Sequence, residues 1–124
     1  MMNKKNNQMF EETLLKLKDK NLDISDYIGI VCLILYSKDF FASNNEIKRF
    51  LEEVFDIVYL EYVMKSRSLI VARTTRYILG LEVKEINRSK MKLIRYIENL
   101  RGLKHKKNKK LNENDKLNIW LKGL

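Results

Sequence analysis

Apolar residues recur at helical spacing along most of the chain. The clearest run follows Ser43: Ile47, Phe50, Leu51, Val54, Phe55 and Val58 keep the i, i+3, i+4, i+7 spacing of one helix face. Ser43 and Glu46 have the S-x-x-E spacing of a capping box, with the hydroxyl accepting one backbone N–H and the carboxylate reaching back to another. The pattern predicts a helix from Ser43 to Asp56. Its outer face (Glu46, Lys48, Arg49, Glu52, Glu53 and Asp56) is mixed to acidic, which fits scaffold or a protein contact, with Asn44, Asn45 and Lys48 open to a partner. Tyr59 to Met64 either continues this helix or bends to carry Tyr62 and Val63 into the core. A second helix is predicted from Ser66 to Leu79, stopped by Gly80 as a C′ residue. At about 100° per residue, Ile70, Val71, Thr74, Tyr77 and Ile78 share one side of it. Lys65, Leu69, Ala72, Arg73 and Arg76 share the other.

The flanking segments complete a helical reading. Residues 1–8 are polar and expected to fray, and Met9, Phe10, Thr13, Leu14 and Leu17 then predict a short first helix. Glu11 and Glu12 early, with Lys16, Lys18 and Lys20 late, complement the helix dipole. Ile28 to Tyr36 is apolar all round, a pattern shared by buried strands and buried helices. No strand signal nearby offers it a partner, so Asp26 to Lys38 is read as the central buried helix, capped by Asp23 or Ser25. Gly29 would mark a close helix crossing, and Cys32 an inert core thiol. Phe40 and Phe41 are expected to pack under the connection that follows. Residues 82–88 read as a short polar connection before a helix from Ser89 to Arg101, striped by Leu93, Ile94, Ile97 and Leu100 and ended by Gly102. Residues 103–113 read as a basic linker, and 114–124 as a short amphipathic tail helix with Leu117, Trp120, Leu121 and Leu124 at helical spacing. The expectation is all-α: a compact bundle of about five helices over 1–102, a mobile basic arm and a short C-terminal amphipathic helix.

Composition agrees. The chain has no proline and four glycines, fewer breakers than strand-and-turn folds need. Its net charge of +9 is unevenly spread: residues 1–62 hold 8 Lys/Arg against 11 Asp/Glu, a net −3, whereas residues 63–124 hold 17 against 5, a net +12. A cation-rich half reads as a polyanion-binding surface, most often for nucleic acid, with solubility alone as the plainer alternative.

The candidate DNA-binding residues are Lys65, Arg67, Arg73 and Arg76 on or beside the 66–79 helix, Lys90, Lys92 and Arg95 on the next, and Lys104, Lys106, Lys107, Lys109 and Lys110 in the arm. Arginines on a helix beside a small residue such as Ala72 can reach phosphates or guanine edges. The alternative is that Arg73 and Arg76 pair with Glu52, Glu53 or Glu82. The tail residues Leu117, Trp120, Leu121 and Leu124 either fold back on the core or dock on a protein partner in the helix-in-groove manner.

Other chemistries find little support. One histidine, His105, and one cysteine, Cys32, supply neither a zinc site nor a disulfide. Phosphate-loop, dinucleotide and nucleophile-elbow motifs are absent, and no acids form a spaced metal-binding pair. We expect no catalytic residues, no metal, no cofactor and no small-molecule substrate. The start MMNKKNNQMF lacks a signal-peptide core, and the longest apolar run falls short of the ~20 residues a bilayer span needs. A cytoplasmic, membrane-free location is therefore expected.

The stretch Tyr62-Val-Met-Lys-Ser-Arg-Ser-Leu-Ile-Val-Ala-Arg-Thr-Thr-Arg-Tyr-Ile78, with Ser43-Asn-Asn-Glu-Ile47, size, basicity and Lys/Asn-rich composition, resembles the small third transposition protein (TnpC type). That family belongs to site-specific, tyrosine-recombinase-encoding transposons of Gram-positive bacteria. The resemblance lies over 43–79; the first 25 and last 20 residues contribute little to it. It implies an accessory or regulatory part in DNA transposition, with double-stranded DNA and a recombinase or transposase as partners. Two other readings stand beside it: a protein-interaction adaptor, and an RNA-backbone-binding subunit of a ribonucleoprotein complex.

Overall fold

The run that is apolar all round is a helix, and the others are arranged about it. The computed structural model describes the backbone of residues 2–102 and the side chains of residues 8–102. Its helices are α1 (Met2–Leu17), α2 (Ile24–Tyr36), α3 (Asn44–Phe55), α4 (Glu61–Met64), α5 (Arg67–Leu79) and α6 (83–102). There is no strand among the described residues. The linker (103–113) and tail (114–124) readings lie outside the described residues.

Asp23 rather than Ser25 caps α2, its Oδ1 accepting the Asp26 N–H at 2.8 Å. The helix buries Tyr27, Ile30, Val31, Ile34 and Leu35, a wide arc, because α1 and α5 both pack on it. Gly29 does not mark a crossing: it is exposed, and a Cβ built there would meet nothing within 4 Å. The approach of α5 is instead on the Cys32 side, where the half-buried Sγ lies 3.4 Å from Thr75 Oγ1.

Three other boundaries differ from expectation. The α1 backbone is helical from Met2, so Glu11 and Glu12 fall well inside it and only Lys16 complements the dipole in the last turn. Only half of the expected capping box forms at α3, one residue early: Glu46 accepts the Ala42 N–H at 2.9 Å, while the Ser43 hydroxyl makes no cap bond. Helix α6 starts at 83, so of the expected 82–88 connection only Glu82 stays outside a helix, and the Ile86 N–H already donates to Glu82 O at 2.9 Å.

Asp56 ends α3 in the left-handed conformation (φ 56°), which short polar side chains tolerate better than most. The chain turns there, so Val58 leaves the α3 face and is exposed. The bend at α4 splits the expected pair: Val63 enters the core and Tyr62 stays outside. Ser66 caps α5 through the Leu69 N–H at 3.3 Å. Gly80 ends α5 with φ −88°, not left-handed, and the chain passes almost directly into α6.

Aromatic rings tie the elements together. Phe10 of α1 meets Phe40 edge-on at 4.6 Å between centroids, and Phe41 meets Phe50 of α3 at 5.0 Å. Phe50 also contacts Tyr96 of α6 at 5.2 Å and Phe55 at 6.0 Å. Each such pair contributes ~0.5–1.5 kcal/mol beyond burial of its area. Phe50 is fully buried at the centre, and Phe50→Ala there would cost about 3–5 kcal/mol.

Candidate nucleic-acid interface

Helix α5 displays cations because only one side of it is buried. Ile70, Val71, Thr74 and Ile78 face the core, whereas Ala72, Arg73 and Arg76 are exposed. Tyr77, expected on the inner side, is partly exposed, and its hydroxyl donates to Phe55 O at 3.2 Å.

Arg73 is held at one end. Its Nη2 donates to Tyr62 Oη at 2.9 Å, and its Cζ lies 5.7 Å from the centre of the Tyr62 ring. That bond uses one of five N–H groups on an exposed side chain. The backbone beneath is fixed by a second hydroxyl pair, Tyr59 Oη to Thr74 Oγ1 at 2.9 Å. Burial raises the Tyr59 pKa above 10.0, with the Thr74 bond and the Arg73 charge pulling it partly back. Arg76 stands one turn further on, i+3 from Arg73 and on the same strip. Lys65, at the end of α4, is also exposed.

Arg67 belongs elsewhere. Its Nη2 donates to Phe41 O at 2.6 Å, its Nη1 to Leu35 O and Tyr36 O at 3.4 Å each, and its Nε to Asn44 Oδ1 at 3.3 Å. The guanidinium thus ties the C-terminal carbonyls of α2 to the start of α3, where the helix dipole favours a cation. Asn44 in turn donates to Met64 O at 2.6 Å, so it is an internal connector rather than a contact open to a partner. Sequence placed Arg67 with the DNA-facing cations; four of its five N–H donors bond within the fold.

The α6 cations have a different setting. Lys92 and Arg95 are exposed and Lys90 is half-buried. Lys92 and Arg95 border a shallow cleft of ≈ 200 Å³ shared with Glu53 of α3, and Lys92 also borders one of ≈ 180 Å³ with Asp56 and Arg88. Carboxylates therefore dilute the positive potential there. The two groups have separate surroundings: Arg73 stands against α4, whereas Lys92 and Arg95 stand beside α3.

The alternative reading, in which acids pair with the α5 arginines, is not what the described residues show. Among the described residues the ion pairs are Lys18 with Glu98, at 3.7 Å, and Arg101 with Glu11. Neither Arg73 nor Arg76 pairs with Glu52, Glu53 or Glu82. Reasoning from sequence missed Tyr62 as the group that positions Arg73; the i, i+11 separation spans a bend that spacing alone does not foresee.

Among the described residues no group of three or more His, Cys, Asp or Glu side chains could hold a metal ion. No described helix is long and apolar enough to cross a membrane. No protein-family model, curated protein or solved structure matches this chain.

Proposed function

We propose that this chain is a non-catalytic accessory or regulatory protein of DNA transposition that grips double-stranded DNA and leaves strand exchange to a recombinase partner. Arg73 and Arg76 make the main phosphate contacts from α5, with Lys65 beside them and Lys92 and Arg95 as secondary contacts. The lysines at 104, 106, 107, 109 and 110 add grip that does not depend on sequence. Arg67 has no part in it.

One observation carries the reading: two adjacent exposed arginines share a strip with Ala72, neither is paired with a carboxylate, and one is oriented by Tyr62. An oriented guanidinium loses less entropy on meeting a phosphate than a free one. The transposition role rests on the resemblance over 43–79.

The test compares three ligands and two variants. Duplex DNA, duplex RNA of equal length and an immobilised recombinase are offered to wild type, to Arg73→Ala/Arg76→Ala and to a chain lacking residues 111–124. The proposal expects duplex DNA to bind best and the arginine variant to lose most. Preference for RNA would favour the ribonucleoprotein subunit. A loss confined to the truncated chain, on the protein ligand alone, would favour the adaptor.

A further inference from the structure

Helices α1 and α2 leave between them a groove of ≈ 730 Å³. Its floor is apolar, with Met9, Ile30 and Leu33, and Leu33 is more than half exposed. Its edges carry Glu12, Asp19 and Asp26 against the single described cation Lys16. An apolar trough with an acidic rim fits an amphipathic, basic segment.

Gly29 adds an independent sign. It lines the groove from the middle of α2, where glycine costs about 1 kcal/mol relative to alanine. Nothing in the described fold requires it there: its φ is not positive, and a Cβ would meet no atom within 4 Å. A glycine that the described fold does not need lines the groove, and a side chain there would project into open space.

We infer that the groove is the docking site of the chain's own C-terminal segment, residues 103–124. That segment carries 7 Lys against 2 Asp/Glu, a net +5, and the amphipathic set Leu117, Trp120, Leu121 and Leu124. Its origin is well placed. Arg101 with Glu11 and Lys18 with Glu98 fasten α6 along one flank of α1, and the groove opens on the other flank. Between them lies the exposed ridge of α1 that carries Leu15, 70% exposed. A helix is ~10 Å across, and roughly four extended residues cover that distance. In the DNA-free chain the lysines of the arm then meet Glu12, Asp19 and Asp26, and the apolar tail positions meet the floor; on DNA the same lysines turn to phosphate. Docked in this way, the tail covers the face it would offer to another protein.

Trp120 is the only tryptophan of the chain, so its fluorescence reports the tail alone. Emission maximum and acrylamide quenching are measured on the full-length protein, on Gly29→Leu, which fills the floor, and on Glu12→Lys, which reverses one rim charge. Far-UV circular dichroism establishes that each variant is folded. Gly29→Leu enters open space and is the variant that decides should Glu12→Lys not fold. The inference expects blue-shifted, protected emission in wild type, moving to the red and becoming more quenchable in both variants. Emission like that of free tryptophan in wild type overturns it. So does protection that Gly29→Leu leaves unchanged, which puts Trp120 on another surface. Protection that disappears on dilution also overturns it, because the tail then docks between copies.

Discussion

Tyr27 and Ser89 meet inside the core across 62 positions of sequence, Oη to Oγ at 2.7 Å. Ser89 spends its own proton on Ile86 O at 2.8 Å, so Tyr27 is the donor. The pair joins α2 to α6 and fixes where the α6 stripe lies against the core. Ser89→Ala removes the acceptor and strands a buried hydroxyl, which costs about 1–3 kcal/mol. Adding Tyr27→Phe to it should recover part of that loss. Chemical denaturation of the two single variants and the double variant checks this.

The same tyrosine sets an alkaline limit. Burial pushes the Tyr27 pKa up to about 12, the Ser89 bond offsetting part of the rise. An unfolded tyrosine ionises near 10, so between pH 10 and 12 the unfolded chain holds fewer protons than the folded one. Stability is then full below pH 10 and falls above it, at roughly 1.4 kcal/mol per pH unit from this group. Tyr27→Phe should flatten that part of the stability profile, read as Tm against pH.

Arg67 should behave as a structural residue. Its four hydrogen bonds join α2, the 37–43 connection and α3. Loss of charge-assisted bonds of this kind costs about 1.5–3 kcal/mol. Arg67→Lys should recover little, since an ammonium cannot reproduce the planar fork. Thermal melting should show both losses, while DNA affinity measured at a temperature where Arg67→Lys is folded stays near wild type.

Tyr62 should act through Arg73. Tyr62→Phe keeps the ring and deletes the hydroxyl that accepts from Arg73 Nη2. An exposed change of this kind leaves stability within about 0.5 kcal/mol. DNA affinity should fall modestly in wild-type background and not at all in Arg73→Ala. A double-mutant cycle on DNA binding reads this coupling.

Much of this architecture was legible in the pattern of apolar residues, and the exceptions have physical causes. The start of α5 at Ser66 and its stop at Gly80 follow from local preferences, whereas α3 starts after Ser43 without the hydroxyl bond that the S-x-x-E spacing suggests. The start of α6 was hidden: residues 82–88 carry only Val83 and Ile86 as large apolar groups, and Val83 is exposed. The turn of helix there is held by Ser89 meeting Tyr27, a long-range contact. Arg67 was misplaced for a reason the sequence could have revealed. It lies i−4 and i−7 from Val71 and Thr74, on the buried stripe of α5, whereas Arg73 and Arg76 lie off it. Charge composition named the cations; helical phase separates the one that builds the fold from the two that face outward. The role of Tyr62 was not legible, because it depends on the path of the bend between α3 and α5.

The most direct measurement is fluorescence anisotropy of labelled duplex DNA, titrated with wild type and with Arg73→Ala/Arg76→Ala over a series of salt concentrations. Both changes lie on the exposed strip, so the fold should stay within about 0.5 kcal/mol of wild type. Each phosphate contact contributes ~0.9 to the slope of log affinity against log salt. The account predicts steeply salt-dependent binding by wild type, and in the variant weaker binding with a slope shallower by about 2. A variant that binds with unchanged affinity and slope, or a wild type that fails to bind at low salt, would contradict the placing of the DNA surface on α5.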